Sequence, residues 1–211
     1  MTRRIASVVC GLLLAVAARG ADGEVWRFDR LDQIGGHPTT ILGHPKVVET
    51  PLGKAIEFNG VDDALYVDVH PLAGASTFTW EVIFRPDPGG GAEQRFFHFQ
   101  ENGSETRMLF ETRLINGKWC IDSFAKSGTP EKALMDRSKL HSLGAWHAVT
   151  AVYDGREYRN YVDGVLQNKF EIHLAPQGAG RTSIGTRIDR RDYFKGAILE
   201  ARMTPRALAP E

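Results

Sequence analysis

The chain has 211 residues, of which 42% are hydrophobic and 25% are charged. This composition favours a packed core of one domain and argues against a disordered chain. Lysine and arginine together number 26, as do aspartate and glutamate, so there is no basic surplus to indicate nucleic-acid binding.

The N-terminus has the pattern of an export signal. Arg3 and Arg4 form a positive start, and residues 5–18 form an apolar run that is short for a membrane span. Small residues suited to cleavage lie at Ala15-Val16-Ala17 and at Ala18-Arg19-Gly20. We expect residues 1–20 to be a signal peptide and residues 21–211 to form one secreted or periplasmic domain, with no membrane span after cleavage. The alternative is a buried N-terminal helix.

Cysteine usage excludes an internal disulfide in the expected mature chain. Cys10 lies in the predicted signal, so Cys120 is the one cysteine left after cleavage. Stability must then come from the core. Trp119 and Ile121 flank Cys120, and this indicates a small buried strand residue rather than a nucleophile.

Short runs of β-branched and aromatic residues, separated by Gly, Pro, Asn and Asp, recur along the chain. The predicted strands cover residues 25–28, 55–58, 64–67, 78–85, 95–100, 107–114, 118–124, 146–153, 158–162, 168–173, 182–184 and 197–203. Residues 29–45 are predicted as loop, and residues 130–143 as one helical turn or a long loop. This pattern predicts an all-β fold, a two-sheet antiparallel sandwich.

Residues 146–166 give the clearest local signal. Asp154-Gly155 and Asp163-Gly164 interrupt apolar runs, and Asp-Gly suits the tight turns that join antiparallel strands. The segment is therefore predicted to be a β-meander rather than a helix.

This meander and four further motifs resemble laminin-G-like domains, which are concanavalin A-like lectin and glucanase jelly rolls. The meander contains Trp146-His147-Ala148-Val149, then a Tyr-Asp-Gly turn and a Tyr-Val-Asp-Gly hairpin. The other motifs lie at residues 53–63, 78–86, 183–196 and 197–203. The resemblance spans residues 25–210 and implies a jelly roll that binds a glycan or a glycosylated surface.

The resemblance also implies a possible calcium site, with two departures from the family pattern. Asp62 and Asp63 follow a glycine turn, and Glu200 is the candidate acid from the last strand. The family often has Trp where this chain has Ile83, and Asp-Glu where it has Leu199-Glu200. Losing an oxygen ligand weakens the implied site, since calcium takes six or more. Asp62 and Asp63 are equally well explained as turn-forming acids that cap their own backbone.

Catalytic motifs of jelly-roll enzymes are incomplete. The Glu-x-Asp-x-Glu pattern of glycosidases is absent, and the polysaccharide-lyase pattern is matched only in fragments at residues 105–107, 171–173 and 193–195. Zinc-ligand spacing is also absent. His141 and His147 lie six residues apart with Gly144 between them, and this favours surface histidines with hydrogen-bond partners.

Alternation along three predicted strands separates an apolar from a charged face. If these strands are neighbours, one polar patch results, made of Glu81, His98, Arg107, Glu111 and Arg113. The alternative is a solvated outer face with weak ion pairs. The patch suits hydroxyl-rich or anionic sugars because arginine offers a planar fork of donors.

Three functions are compatible with these observations. The first is a secreted binding module for a glycan, without catalysis. The second is a polysaccharide-degrading hydrolase or lyase on the same scaffold. The third is a structural or adhesion module with no small ligand, since fold does not fix function.

Overall fold

A computed structural model describes residues 23–128 and 131–209, so the predicted signal peptide lies outside the described residues. Across the described part, the chain forms seventeen strands and no helix. The all-β prediction is confirmed. Among these residues, no helix is long and apolar enough to cross a membrane.

The first sheet holds eight strands in the order β15-β14-β13-β7-β17-β5-β4, with β1 also paired to β17. Its neighbours are antiparallel, as in β7 with β13 and β17. The bounds of its strands are β1 Glu24–Arg27, β4 Lys46–Thr50, β5 Gly53–Asn59, β7 Phe78–Pro86, β13 His147–Tyr153, β14 Glu157–Val162, β15 Val165–Glu171 and β17 Lys195–Thr204.

The second sheet holds nine strands in the order β11-β10-β9-β8-β16-β6-β3-β2, with β12 also paired to β10. The bounds of its strands are β2 Gln33–Ile34, β3 His37–Leu42, β6 Ala64–Val67, β8 Glu93–Glu101, β9 Arg107–Ile115, β10 Lys118–Lys126, β11 Glu131–Met135, β12 His141–Ser142 and β16 Gly180–Ile184. The two antiparallel sheets make a jelly-roll sandwich.

Two segments differ from their predicted conformation. Residues 29–45 were expected to be loop, yet they contain β2 and β3, and β3 pairs with the fully buried β6. Residues 131–135 and 141–142 are strands that pair with β10, not a helical turn. In both cases pairing with a neighbouring strand outweighs the local preference of the residues.

The core lies between the sheets and is rich in aromatic rings. Alternate residues of β7 point into it, including the fully buried Trp80 and Phe84. The Trp80 ring stacks on Phe110 of β9 with centroids 3.8 Å apart and an interplanar angle of 17°. Phe84 stacks on Phe96 of β8 at 4.2 Å. These stacked pairs join the two sheets across the core.

The predicted meander is confirmed as β13, β14 and β15. Its second turn, Asp163-Gly164, has φ of 50° and 73°, and two consecutive positive values are what a type I′ hairpin turn requires. Cys120 is a free, buried cysteine on β10, as expected. Burial raises the pKa of its thiol, and Asp122 nearby adds to the shift.

A leucine pair tests the assignment of the core. Leu65 in β6 is fully buried, whereas Leu52 is 57% exposed. We expect Leu65→Ala to lower the free energy of unfolding by about 2–5 kcal/mol, because it removes buried methyl groups and leaves a cavity. The same change at Leu52 should cost about 0.5 kcal/mol or less. Urea unfolding of both variants is the measurement, and equal losses would contradict the assignment.

Candidate functional site

A cavity of about 220 Å³ opens on the outer face of the second sheet. We call it the arginine pocket. Its lining residues come from β8, β9, β10 and the loop after β16, and they are Arg95, Arg107, Leu109, Glu111, Arg113, Asp122, Phe124 and Arg187.

Strand alternation explains why these side chains share one face. Residues 107, 109, 111 and 113 are alternate positions of β9, and alternate positions point to the same side of a sheet. The intervening Met108 and Phe110 enter the core. On β10, Asp122 lies directly opposite Glu111, and Phe124 lies opposite Leu109. The strand register therefore places two acidic side chains, Glu111 and Asp122, beside an apolar pair, Leu109 and Phe124.

Arg113 holds the two buried carboxylates of the pocket. Its Nη2 donates to Glu111 Oε2 at 2.9 Å, and its Nε donates to Asp122 Oδ2 at 2.8 Å. Arg95 approaches Glu111 from β8, with its Nε 3.1 Å from Oε1. Because a buried charge is costly unless it is paired, these contacts fix the floor of the pocket.

Acids at the rim pair with the same two arginines. Glu93, which is about half exposed, accepts from Arg95 Nη1 at 3.1 Å and pairs with Arg113 Nη1. Asp192 Oδ2 lies 2.5 Å from Arg95 Nη1. The guanidinium groups of Arg95 and Arg113 are therefore occupied by ion pairs within the protein.

Arg107 and Arg187 make fewer ion pairs within the protein than Arg95 and Arg113 do. Arg107 donates to the exposed Glu105, and its guanidinium lies 4.7 Å from the centre of the Phe124 ring. Arg187 Nε is 3.5 Å from Asp189 Oδ1. Burial lowers the pKa of the Arg187 guanidinium; the charge of Asp189 opposes the shift, and repulsion from Arg191, Arg107 and Arg95 adds to it. An anion in the pocket would relieve that repulsion.

Glu111 is the acid of the pocket whose protonation is most perturbed. Burial is the main cause and raises the pKa of its carboxyl to about 7. The charge of Asp122 raises it as well, while Arg95 and Arg113 oppose the shift. The side chain therefore exchanges a proton near neutral pH, where an unperturbed glutamate is fully ionised.

His98 lies close to the pocket but does not line it. It is fully buried on β8, and its Nδ1 accepts a hydrogen bond from the Ile188 amide at 3.0 Å. Burial lowers the pKa of His98 well below its usual value, and the charges of Arg187, Arg107 and Arg95 add to the effect. The imidazole is accordingly neutral and supports the loop that carries Arg187.

Glu81 does not belong to this patch. It lies on β7 of the first sheet and accepts from Thr150 Oγ1 at 3.2 Å on that sheet's outer side. The expectation that all five polar residues form one patch is wrong for Glu81, since β7 does not neighbour β8 or β9. The structure brings Arg107, Glu111 and Arg113 together, with His98 close by.

Sequence reasoning missed Arg95, Asp122, Phe124 and Arg187. Alternation along residues 118–124 could have placed Asp122 and Phe124 on one face, although it could not say which face. A β-bulge between Arg95 and Phe97 shifts the register of β8, and Phe96 enters the core beside Phe97. Arg187 comes from a loop, whose position no strand periodicity reports.

The predicted calcium ligands do not converge. Asp63 is buried, and its two oxygens accept from the amides of His44 at 2.6 Å and Asn59 at 3.0 Å. Glu200 lies five residues along β17 from Lys195, the partner of Asn59, which is roughly 16 Å along a strand. Glu200 instead accepts from Arg202 Nε at 2.6 Å. The grouping of Glu200 with Asp62 and Asp63 is wrong, and calcium binding at these two aspartates stays a prediction.

Two aspartate variants test the role of Asp63 as a backbone cap. Asp63→Ala should lower the free energy of unfolding by about 1–3 kcal/mol, because it removes a buried carboxylate that accepts from two backbone amides. Asp62→Ala at the exposed neighbour should cost about 0.5 kcal/mol or less. Thermal and urea unfolding would be followed with calcium and with chelator. Stabilisation of metal-free protein by millimolar calcium, lost in Asp62→Ala, would instead establish calcium binding.

Glu111 should make stability depend on pH. Its pKa is higher in the folded protein than in the unfolded chain, so the folded state binds a proton more tightly between about pH 4.5 and 7. Stability from this group is fully present below that range and is lost as the pH rises through about 7, by about 3 kcal/mol in all. Urea unfolding of wild type and Glu111→Gln across pH 4–8 measures this loss. An identical slope in both proteins would contradict the assignment.

Comparisons with known proteins agree with the jelly-roll architecture. A model of the laminin-G type, described as concanavalin A-like lectin/glucanases superfamily, matches residues 59–211. Among curated proteins, none matches the chain at a significant level.

Several solved structures share the fold at low sequence identity. Domain 4 of AbnA, a GH43 extracellular arabinanase from Geobacillus stearothermophilus in complex with arabinotriose, aligns over 90% of this chain and 94% of its own, with a TM-score of 0.66 and 17% identity. The CBM40 of Ruminococcus gnavus IT-sialidase bound to α2,3-sialyllactose aligns over 64% and 78%, with a TM-score of 0.52 and 13% identity. The binding domain of botulinum neurotoxin serotype D aligns over 90% and 50%, at 0.64 and 12%.

These likenesses concern the fold, while the family match covers most of the chain, including β6 to β17. The strand order, the aromatic core and the matched residues lead to one assignment: the chain belongs to the concanavalin A-like lectin/glucanase superfamily.

Proposed function

We propose that the protein is a secreted binding module that recognises an acidic carbohydrate in the arginine pocket. The main support for the proposal is that Arg107 and Arg187 both line one open cavity on the outer face of the second sheet. Export is supported by the charged start and apolar run of residues 1–20. Structural neighbours solved with arabinotriose and α2,3-sialyllactose support a carbohydrate as the ligand class.

Arg107 and Arg187, which make few ion pairs within the protein, favour an anionic sugar over a neutral one. Four arginines line it together with two acids, Glu111 and Asp122, and Glu111 has a pKa of about 7. Arginine is suited to a sugar carboxylate because its planar donors can bind both oxygens at once. The Nε atom of Arg107 is buried and has no hydrogen-bond partner among the described residues.

The size of the pocket indicates how much of a glycan it can hold. Its volume of about 220 Å³ is below the ~300–1,000 Å³ of pockets that enclose drug-sized ligands. We infer that one charged sugar residue enters while the rest of the glycan crosses the sheet face. Leu109 and Phe124 supply the apolar wall against which the ring would pack.

Replacing Arg107 or Arg187 should weaken the binding of acidic sugars. We expect Arg107→Gln and Arg187→Gln each to weaken binding of an oligogalacturonate at least tenfold, since a hydrogen bond to a charged group contributes about 1.5–3 kcal/mol. Glutamine keeps part of the side chain that packs on Phe124. Isothermal titration calorimetry, with arabinotriose as the neutral comparison and α2,3-sialyllactose as a second acid, is the measurement.

Arg156→Gln is the matched control. Arg156 is an exposed arginine in the β13–β14 turn and pairs with Glu171 at 2.7 Å. This turn belongs to the first sheet, whereas β9 belongs to the second. Its removal should leave affinity unchanged. Undiminished binding of the acidic sugar in both pocket variants, or equal binding of neutral and acidic sugars, would overturn the proposal.

A hydrolase is the second candidate, on one observation. Glu111 Oε2 and Asp122 Oδ2 both lie within hydrogen-bond distance of Arg113 Nη2, so they are less than about 6 Å apart, near the ~5 Å carboxylate separation of retaining glycosidases. Because Arg113 forms ion pairs with both carboxylates, the arrangement favours binding over catalysis. A reducing-sugar assay on acidic polysaccharides separates the two: release of sugar ends by wild type, lost in Glu111→Gln, would establish the enzyme.

A further inference from the structure

A second cluster of ligating side chains lies away from the arginine pocket. His141 is on β12 of the second sheet, His147 begins β13 of the first sheet, and Asp163 is in the β14–β15 turn. One ligating atom from each residue lies within 4.8 Å of the other two. The cluster therefore joins the two sheets, although its residues are far from any zinc-motif spacing in the sequence.

Hydrogen bonds leave one nitrogen of His147 facing a carboxylate. Its Nε2 lies 3.0 Å from the Ser142 carbonyl oxygen, which can only accept, so Nε2 is the donor. Its Nδ1 lies 2.7 Å from Asp163 Oδ2, which is an acceptor in the ionised carboxylate. A neutral imidazole has one N–H and cannot satisfy both contacts. With the hydrogen on Nε2, the Nδ1 lone pair faces a carboxylate oxygen, and a metal ion that both atoms bind would satisfy this arrangement.

The orientation of His141 follows from Gln167. The Gln167 Nε2 donates to the Val165 carbonyl at 2.8 Å, so its Oε1 is the atom that faces His141 Nε2 at 2.9 Å. His141 Nε2 must then carry the hydrogen, which leaves Nδ1 with its lone pair. In metal sites a ligating histidine typically donates its other N–H to a carbonyl or carboxylate, as both rings do here.

We propose that His141, His147 and Asp163 bind a divalent transition-metal ion, with zinc as the ion that this ligand set suits best. Two imidazole nitrogens and one carboxylate oxygen are common zinc ligands, and water can complete a tetrahedral site. The two rings are tilted by 64° with centroids 5.7 Å apart, so one ion can reach both. Binding needs small movements only, because tetrahedral ligand atoms lie roughly 3.4 Å apart at zinc–nitrogen distances of about 2.0–2.1 Å.

The surroundings support a stable and accessible site. Trp119 packs against both rings, with centroids 5.0 Å from His141 and 5.2 Å from His147, and this restricts their rotation. The Asp163 side chain is half exposed, which gives an ion a route from solvent. Its other oxygen accepts from the Ala148 amide at 2.9 Å. A bound ion would clamp β12 to β13 and so hold the two sheets together.

Zinc titration of the purified, chelator-treated protein tests the site. Calorimetry should give one zinc ion per chain, and saturating zinc should raise the melting temperature, because it binds the folded state. His141→Ala and Asp163→Asn should each weaken binding at least tenfold. Gln167→Leu keeps all three ligands but removes the orienting contact, and should weaken binding about ten- to a hundredfold.

His173→Ala is the control, since His173 is an exposed histidine outside the cluster. It should bind zinc like wild type, and circular dichroism would establish that each variant is folded. Absence of zinc binding to wild type would overturn the proposal. Equal zinc binding by folded His141→Ala and wild type would do the same.

Discussion

The alternation of side chains along β9 is the constraint on which both the core and the arginine pocket depend. Met108 and Phe110 enter the core, and Phe110 stacks on Trp80 of the opposite sheet. The residues between and beside them, Leu109 and Glu111, face the pocket. A register slip of one residue would bury the charges and expose the aromatic ring. The same stack that stabilises the sandwich therefore also aims the polar residues outward.

Arg113 connects that geometry to the electrostatics of the pocket. It bridges two nearly buried carboxylates on adjacent strands, Glu111 and Asp122. Removing it would leave Asp122 without an ion-pair partner among the described residues and Glu111 with Arg95 alone, in a site with little solvent, and an unpaired buried charge typically costs about 3–5 kcal/mol. The pocket thus contains two kinds of arginine: Arg113 and Arg95 maintain its floor, while Arg107 and Arg187 have donors to offer. A variant of Arg113 reports on stability as much as on binding.

The sequence predicts the strands around the site better than the site itself. Alternation placed Trp80, Met108 and Phe110 inside, because burial of one face is a local, period-two signal. It could not tell that β7 and β9 lie in different sheets, so Glu81 was grouped with residues on the opposite side of the molecule. Strand order is set by long-range pairing, which leaves no mark in a single strand. The same reason explains β3, a polar segment that becomes a strand because β6 offers it a partner.

The two proposed sites illustrate different routes by which this fold acquires a ligand. Family membership accounts for the sandwich and for the meander of β13 to β15, but many functions share such a scaffold. The arginine pocket is formed by outward-facing residues of three neighbouring strands and by one loop residue. The histidine cluster arises where the chain crosses from β12 to β13, so its ligands come from both sheets. Because the pocket lies on one sheet face and the cluster joins the sheets, substitutions in one should leave the ligand of the other unaffected, as expected for sites with no shared partners.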